Sequence, residues 1–424
     1  MDIVLTLFFV ISGNIIQIYF FVTMFLYLFI SFTGIVFYKK NSVFLPETNK
    51  KFAILIPAHN EENVIANLLE SINLLDYPKS LYDVYVICDH CQDKTKEIAE
   101  KYSPKIIEYN DSFPSSKAKA LNKATQEILD GEVKYDAFCY FDADSLIHPD
   151  FLKAMSFYLS NGFLAIQGQQ LPKNPRESLI SIIISSGQFI TNNFFQKPKN
   201  LLGFSATLHG KGMCFDIELV RKFKWDENCL TEDLEMQMRL VAGGVRILWG
   251  EHAIVYDEEP VLMRQYFVRS IRWTRGSLDT AKKHAKNLFF IFLKTFDFRV
   301  LEAFIYCFGV YRVLLLSFGG LAMYVTRDRF NLLVYLFHLI PYDSFIAKLI
   351  FILGPFIIFP FLILFDKKIG VDMFFGYFLQ PALGFFRIPI FLLGVVKNKE
   401  EWDRTEHTSS VKINDILGNN RRLL

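Results

Sequence analysis

From Ile3 to Tyr38 the chain carries no charged residue, and no other feature constrains its fold more. So long an apolar run exceeds the apolar core of a signal peptide and suffices to cross a bilayer, so it reads as an uncleaved anchor. The span itself is expected at about residues 15–38. Lys39 and Lys40 follow at once, and the positive-inside tendency places them and the region behind them in the cytoplasm. A second apolar block starts near Leu301. Segments 301–325, 345–365 and 371–396 each have the length of a span, whereas 330–341 is short. The tail carries Lys397, Lys399, Arg404, Lys412, Arg421 and Arg422, which favours a cytoplasmic end and four C-terminal crossings; Asp366-Lys367-Lys368 would then face outwards, against the same rule. The expected organisation is an anchor over 1–40, a central domain over 41–298, membrane helices over 299–396 and a tail over 397–424. This describes a multi-pass protein, expected in the plasma membrane with its central domain in the cytoplasm.

Across 424 residues the net charge is +2, and no isolated basic block stands out, so nothing calls for nucleic acid as a partner. The six cysteines are scattered, which fits a reducing compartment. Cys88 and Cys91 form a CxxC pair without a second pair or histidines at zinc spacing, so a redox or zinc role is disfavoured.

Between the apolar blocks the pattern alternates. Phe52 to Pro57 is a short apolar run, and 61–75 repeats apolar residues at helical spacing. Strand and helix patterns follow in turn over 83–87, 95–101, 105–109, 117–129 and 135–141. Such alternation predicts an α/β, Rossmann-like, mostly parallel sheet, with ligands at the carboxyl ends of the strands.

Chemistry concentrates at those ends. Asp142 and Asp144 flank one small residue after the fourth strand, where two carboxylates suit a hard divalent cation beside a diphosphate. Asp89 follows the second strand and has acceptors for a base ring, while Asp93 or Thr95 fits a helix cap. Thr231-Glu232-Asp233 opens a short helix ended by Gly243-Gly244, so Asp233 lies in a first turn, where the helix dipole favours its ionised form. If 265–276 is helical, Gln265, Arg269, Arg272 and Trp273 share one face, joining a phosphate-clamping guanidinium to an indole that suits a sugar ring. The same basic segment, extended by Lys282, Lys283, Lys286 and Lys294, also suits an anionic lipid surface.

Taken together, Pro57-Ala58-His59-Asn60-Glu61-Glu62, Asp89, Lys117 to Asn122, Asp142-x-Asp144, Thr231-Glu232-Asp233 and Arg272-Trp273 resemble the family 2 glycosyltransferases. Their order and spacing are similar to the membrane-bound branch that includes cellulose, chitin, hyaluronan and poly-N-acetylglucosamine synthases. The resemblance covers about residues 51–276. It implies a GT-A fold with flanking transmembrane helices, a UDP-sugar donor and Mg2+ or Mn2+. It further implies Pro57, Glu61, Asp89, Lys117, Asp142 and Arg272 at the donor, Asp142 and Asp144 at the metal, Asp233 as general base, and Glu232 and Trp273 at the acceptor. The acceptor would be a growing polysaccharide or a lipid carrier, in cell-envelope glycan synthesis. The tail residues 402–407 are similar to a tryptophan-threonine motif of some relatives and equally fit an ordinary polar tail. One departure bears on processivity: Arg269 stands where processive members carry glutamine, and the nearest glutamine is Gln265.

Overall fold

β1 (Phe52–Ala58) is apolar throughout, and all of it but Pro57 is buried, as a central strand covered on both faces must be. The computed structural model describes residues 3–37, 49–110, 116–327, 329–339, 370–396 and 409–420. β1 pairs in parallel with β2 (Tyr82–Asp89), and β2 with β3 (Lys105–Tyr109). On its other side β1 pairs in parallel with β4 (Ala137–Tyr140), so the carboxyl ends of all four strands share one edge. The sheet continues with β5 (Leu146–Ile147), β6 (Ala165–Pro172), β7 (Met213–Asp216) and β8 (Ile247–Asp257), in the order β3-β2-β1-β4-β7-β6-β8-β5. β7 runs antiparallel to both β4 and β6, and β5 to β8, while β6 and β8 are parallel. The expected parallel half is therefore present, and the sheet as a whole is mixed. The reversal begins where the strand–helix alternation of the sequence stops.

α1 (Ile3–Phe37) precedes the sheet, and α2 (Ile65–Asn73) and α3 (Thr95–Glu100) connect its first strands. α4 (Lys117–Asp130) turns Ala118, Leu121, Ala124 and Ile128 to the core, and Ser116 caps it by accepting a hydrogen bond from the Lys119 amide at 3.2 Å. α5 (Phe151–Ser160) joins α2 on one face of the sheet; α4 and α9 (Glu232–Ala242) cover the other. α6 (Leu179–Ile190), α7 (Lys197–Leu201) and α8 (Ile217–Lys222) lie between. α10 (Met263–Thr295) is one continuous helix, followed by α11 (Phe298–Phe308), α12 (Arg312–Val325) and α13 (Leu332–His338).

Among the described residues, two helical stretches are long and apolar enough to cross a membrane, Ile3–Thr33 and Phe298–Val325, and a third counts if the pair Val371–Phe385 and Arg387–Val396, bent by 46°, is taken as one. α1 begins well before the expected start of the span. Its polar residues do not interrupt it, because Ser12, Thr23 and Ser31 donate to the carbonyls of Phe8, Tyr19 and Tyr27 one turn back. The expected span at 345–365, the basic pair after α1, the Asp366-Lys367-Lys368 turn and the motif at 402–407 lie outside the described residues. The described end of the tail docks on the central domain: Ile413 is buried against Leu146 and Tyr256, and Lys412 pairs with Glu70 at 3.0 Å.

Candidate active site

The loops at the carboxyl ends of β1, β2 and β4 surround one cavity of about 1100 Å³. Pro57, Glu61, Asp89, Lys117, Asp142, Asp144, Glu232, Asp233, Arg272 and Trp273 all line it, so residues scattered over more than half of the chain converge. Each loop is held by its own hydrogen bonds. After β1, the Glu61 amide donates to Thr95 Oγ1 at 2.7 Å and the Glu62 amide to Asp93 Oδ2 at 3.1 Å, which ties this loop to the one after β2. Asp93 also accepts from the Thr95 amide at 3.0 Å, but the N-cap of α3 is Lys94 and neither Asp93 nor Thr95 holds the expected cap position. His59 Nδ1 lies 2.6 Å from the Asp89 carbonyl, and the Asp89 carboxylate 2.7 Å from His90 Nδ1. Cys88 and Cys91 are free thiols, and Cys91 Sγ donates to the Ala58 carbonyl at 3.4 Å.

Lys117, at the start of α4, joins the two acidic motifs. Its ammonium lies 2.6 Å from Asp142 Oδ1 and 3.0 Å from Glu232 Oε1, and it donates to the Gly210 carbonyl at 3.3 Å. Burial by itself would lower the pKa of Lys117, but the charges of Asp142 and Glu232 outweigh it and raise the pKa. For Asp142 burial acts upward, and the charges of Lys117 and Lys211 more than reverse it. Asp142 is therefore held ionised, as a metal or diphosphate site requires.

Asp233 behaves differently from the expectation based on the helix dipole. It does lie in the first turn of α9, where Oδ1 accepts from the Leu234 amide at 2.8 Å. Yet burial, reinforced by the neighbouring charge of Glu232, raises its carboxyl to about 7. Desolvation of a buried carboxylate outweighs the partial charge of a helix end. A carboxyl poised near neutrality suits general-base work better than one locked in the ionised form.

α10 supplies the remaining wall. The Gln265 carboxamide oxygen accepts from the amides of Val261 and Leu262, both at 3.0 Å, and so fixes the start of the helix. One turn on, Arg269 pairs with Glu259 at 2.9 Å and lies 3.6 Å from Asp257. Arg272 and Trp273 line the cavity on the same face, and Arg272 makes no ion pair among the described residues. The bend between Val371–Phe385 and Arg387–Val396 lies over this helix, with the Phe386 ring 5.3 Å from that of Phe267.

Several cavity residues were not singled out from the sequence. Lys211 pairs with Asp257 and stands 3.6 Å from Asp142 Oδ2 and 3.9 Å from Asp144 Oδ2. Glu258 pairs with Lys173 at 2.9 Å and accepts from the Ser409 amide at 3.1 Å, so the tail reaches the rim of the site. Two signals were available: a lysine between two glycines at 210–212 and an acidic run at 257–259. Neither is specific without the partner segment that faces it.

The sequence pattern described as Glycosyltransferase like family 2 matches residues 49–276, more than half of the chain. The chain belongs to the family 2 glycosyltransferases. This glycosyltransferase is 28% identical over 252 residues to the probable glycosyltransferase YdaM of Bacillus subtilis, a match covering 56% of this chain and 58% of that one. It is also 28% identical over 198 residues to the beta-monoglucosyldiacylglycerol synthase of Trichormus variabilis, covering 44% and 40% respectively. The match thus spans between two fifths and three fifths of these relatives' own length. Among solved structures, the mannosyltransferase PcManGT of Pyrobaculum calidifontis, determined with GDP-Man and Mn2+, superposes with a TM-score of 0.57 at 14% identity, over 93% of this chain and 99% of that one. The fold is GT-A, with apolar helices flanking the catalytic sheet.

Proposed function

We propose that this glycosyltransferase performs an inverting, metal-dependent transfer from a UDP-sugar to a glycan or lipid-borne acceptor at the cytoplasmic face of a membrane. The observation that carries the reading is the Lys117 ammonium, which holds Asp142 and Glu232 within 2.6 and 3.0 Å and so brings donor and acceptor motifs into one half-buried cluster. Asp142 and Asp144 offer oxygen ligands at a strand end, and Lys211 already places a cation beside both, so their chemistry fits Mg2+ or Mn2+. A bound divalent cation supplies positive charge against the departing diphosphate.

The residues of this chain divide the remaining work. Asp89 faces the uracil, with Pro57 and Glu61 forming the rest of the donor loop. Arg272 meets the diphosphate, and Trp273 and Glu232 receive the acceptor. Asp233 takes the proton from the acceptor hydroxyl as that oxygen attacks the anomeric carbon opposite the leaving nucleotide, and an α-linked donor gives a β-linked product. The boundaries 1–40, 41–298, 299–396 and 397–424 and a plasma-membrane location complete the reading.

The acceptor has two readings. A growing polysaccharide accords with the membrane-bound branch that the motifs resemble. A single addition to a lipid is favoured by the aliphatic part of the cavity, where Val313, Leu316 and Ile390 carry its wall between the membrane helices. The relative from Trichormus variabilis is itself named as a glycolipid synthase. The test is nucleotide release by the purified protein against a panel of UDP- and GDP-sugars, followed by sizing of the product. Release from a UDP-sugar with a long product supports the synthase, and a product enlarged by one sugar the lipid transferase. No release with any donor and metal would overturn the reading.

A further inference from the structure

Lys211 helps to hold Asp142 ionised but takes no part in the transfer steps set out above, and three carboxylates lie within 4 Å of its ammonium. Its backbone is fixed. Gly210 and Gly212 on either side have φ of +76° and +63°, a left-handed geometry that suits glycine. The Gly212 amide donates to the Tyr140 carbonyl at 2.8 Å, the Gly168 amide donates to the Gly212 carbonyl at 2.8 Å, and Gln167 Nε2 donates to the Lys211 carbonyl at 2.9 Å. The loop is thereby clamped between β4 and β6, which holds the lysine backbone at the cavity. Its ammonium pairs with Asp257 and lies 3.6 Å from Asp142 and 3.9 Å from Asp144, with 11% of the side chain exposed.

We propose that Lys211 is the resident counter-cation of the Asp142–Asp144 pair and makes metal binding depend on the nucleotide. The inference rests on the metal reading of these two aspartates. A divalent ion bound by both carboxylates needs oxygens at about 2.1 Å. An ammonium already close to the same oxygens then repels it in a poorly solvated site. The ammonium is already seated on Asp257, a carboxylate that also accepts from Gln170 at 2.6 Å and lies 3.6 Å from Arg269, which Glu259 pairs in turn at 2.9 Å. Metal alone therefore sets two further positive charges beside an ammonium whose one close carboxylate is already shared. A diphosphate arriving with the metal brings negative charge to both and gives the ammonium a second partner. Metal and nucleotide each raise the other's affinity by the same factor, as linkage requires. Lys211 is a positioning residue in this scheme, and its neighbour Asp257 is the dock that keeps it in reach.

The test is Mn2+ binding to the full-length protein in detergent, followed through the electron paramagnetic resonance of free Mn2+, with and without saturating UDP. Wild type should bind Mn2+ weakly alone and more tightly with UDP, by a factor on the order of 5- to 150-fold. In Lys211→Met the affinity for metal alone should rise at least fivefold or so, and the enhancement by UDP should largely disappear. Because that variant leaves Asp257 buried with one counter-ion fewer, Lys211→Met/Asp257→Asn is measured beside it and should show the same pattern. Unchanged metal-alone affinity and retained enhancement in a folded variant overturn the role of Lys211 and leave the metal reading standing. A wild-type protein that takes up no Mn2+ even with UDP overturns both.

Discussion

Gly276 in α10 lies so close to Thr231 at the head of α9 that a Cβ in its place would sit 2.5 Å from Thr231 Cγ2 and 2.8 Å from the Thr231 nitrogen. One turn earlier on α10 come Arg272 and Trp273; immediately after Thr231 come Glu232 and Asp233. The contact therefore sets the distance between the two segments to which the proposed function assigns catalysis. Gly276→Ala forces them apart, since the obstruction is backbone as well as side chain. Overpacking of this kind costs about 1–3 kcal/mol, and a shift near 1 Å in a catalytic group costs on the order of 100-fold in rate. Thermal unfolding together with turnover measures both. Wild-type turnover in this variant would show that the contact does not govern the geometry.

Asp233→Asn keeps the shape of the side chain and removes its capacity to take a proton. Turnover should fall on the order of 100- to 10,000-fold, while donor affinity changes little. With its carboxyl raised to about 7 by burial and by Glu232, Asp233 is protonated and inactive below neutrality. In wild type kcat/KM should rise with pH through neutrality and level off above it, and this limb should vanish in the residual activity of Asp233→Asn. Lost donor binding in the variant, read by titration, would move Asp233 to the donor site.

Removal of divalent ions addresses Asp142 and Asp144. Transfer should stop in EDTA and return on addition of Mn2+ or Mg2+, whereas Asp144→Ala should not recover at any tested concentration. Full transfer in EDTA would exclude the assignment.

A buried ion pair joins α7 to α11, and α1 hydrogen-bonds to it. Lys199 of α7 lies 2.8 Å from Glu302 of α11, both are almost wholly buried, and Tyr27 of α1 donates to the same carboxylate at 3.2 Å. Glu302→Ala strands the ammonium and should cost about 3–5 kcal/mol, whereas Lys199→Met/Glu302→Leu should be much closer to wild type. Unfolding in detergent compares them, and equal stability of the two variants would argue against the pairing.

Local pattern made the catalytic sheet legible for its first four strands. The expected strand at 105–109 coincides with β3, and the run at 52–57 falls one residue short of β1. α2 begins four residues later than the periodicity suggests, because Asn60 takes φ +57° and the Glu61 carbonyl accepts the first turn's hydrogen bonds. The later strands were not legible. β7 enters the sheet antiparallel to β4 and β6, and β5 antiparallel to β8, through pairings with strands distant in sequence, and the apolar content of a short strand does not state its direction.

For this protein the sequence by itself determined the long apolar N-terminal helix, the α/β class and the acidic motifs, because each depends on residues close together in the chain. Tertiary structure alone decided the electrostatic state of those motifs. Glu232, beside Asp233 in sequence, adds to the upward shift of its carboxyl, but the larger cause, the cavity that desolvates it, and the Lys117 charge that opposes the shift both come from elsewhere in the chain. Likewise Lys211 and Asp257 are 46 residues apart and meet only because β7 and β8 belong to one sheet. Hydropathy and short motifs are local properties of the chain, whereas burial and charge pairing are properties of the space into which it folds.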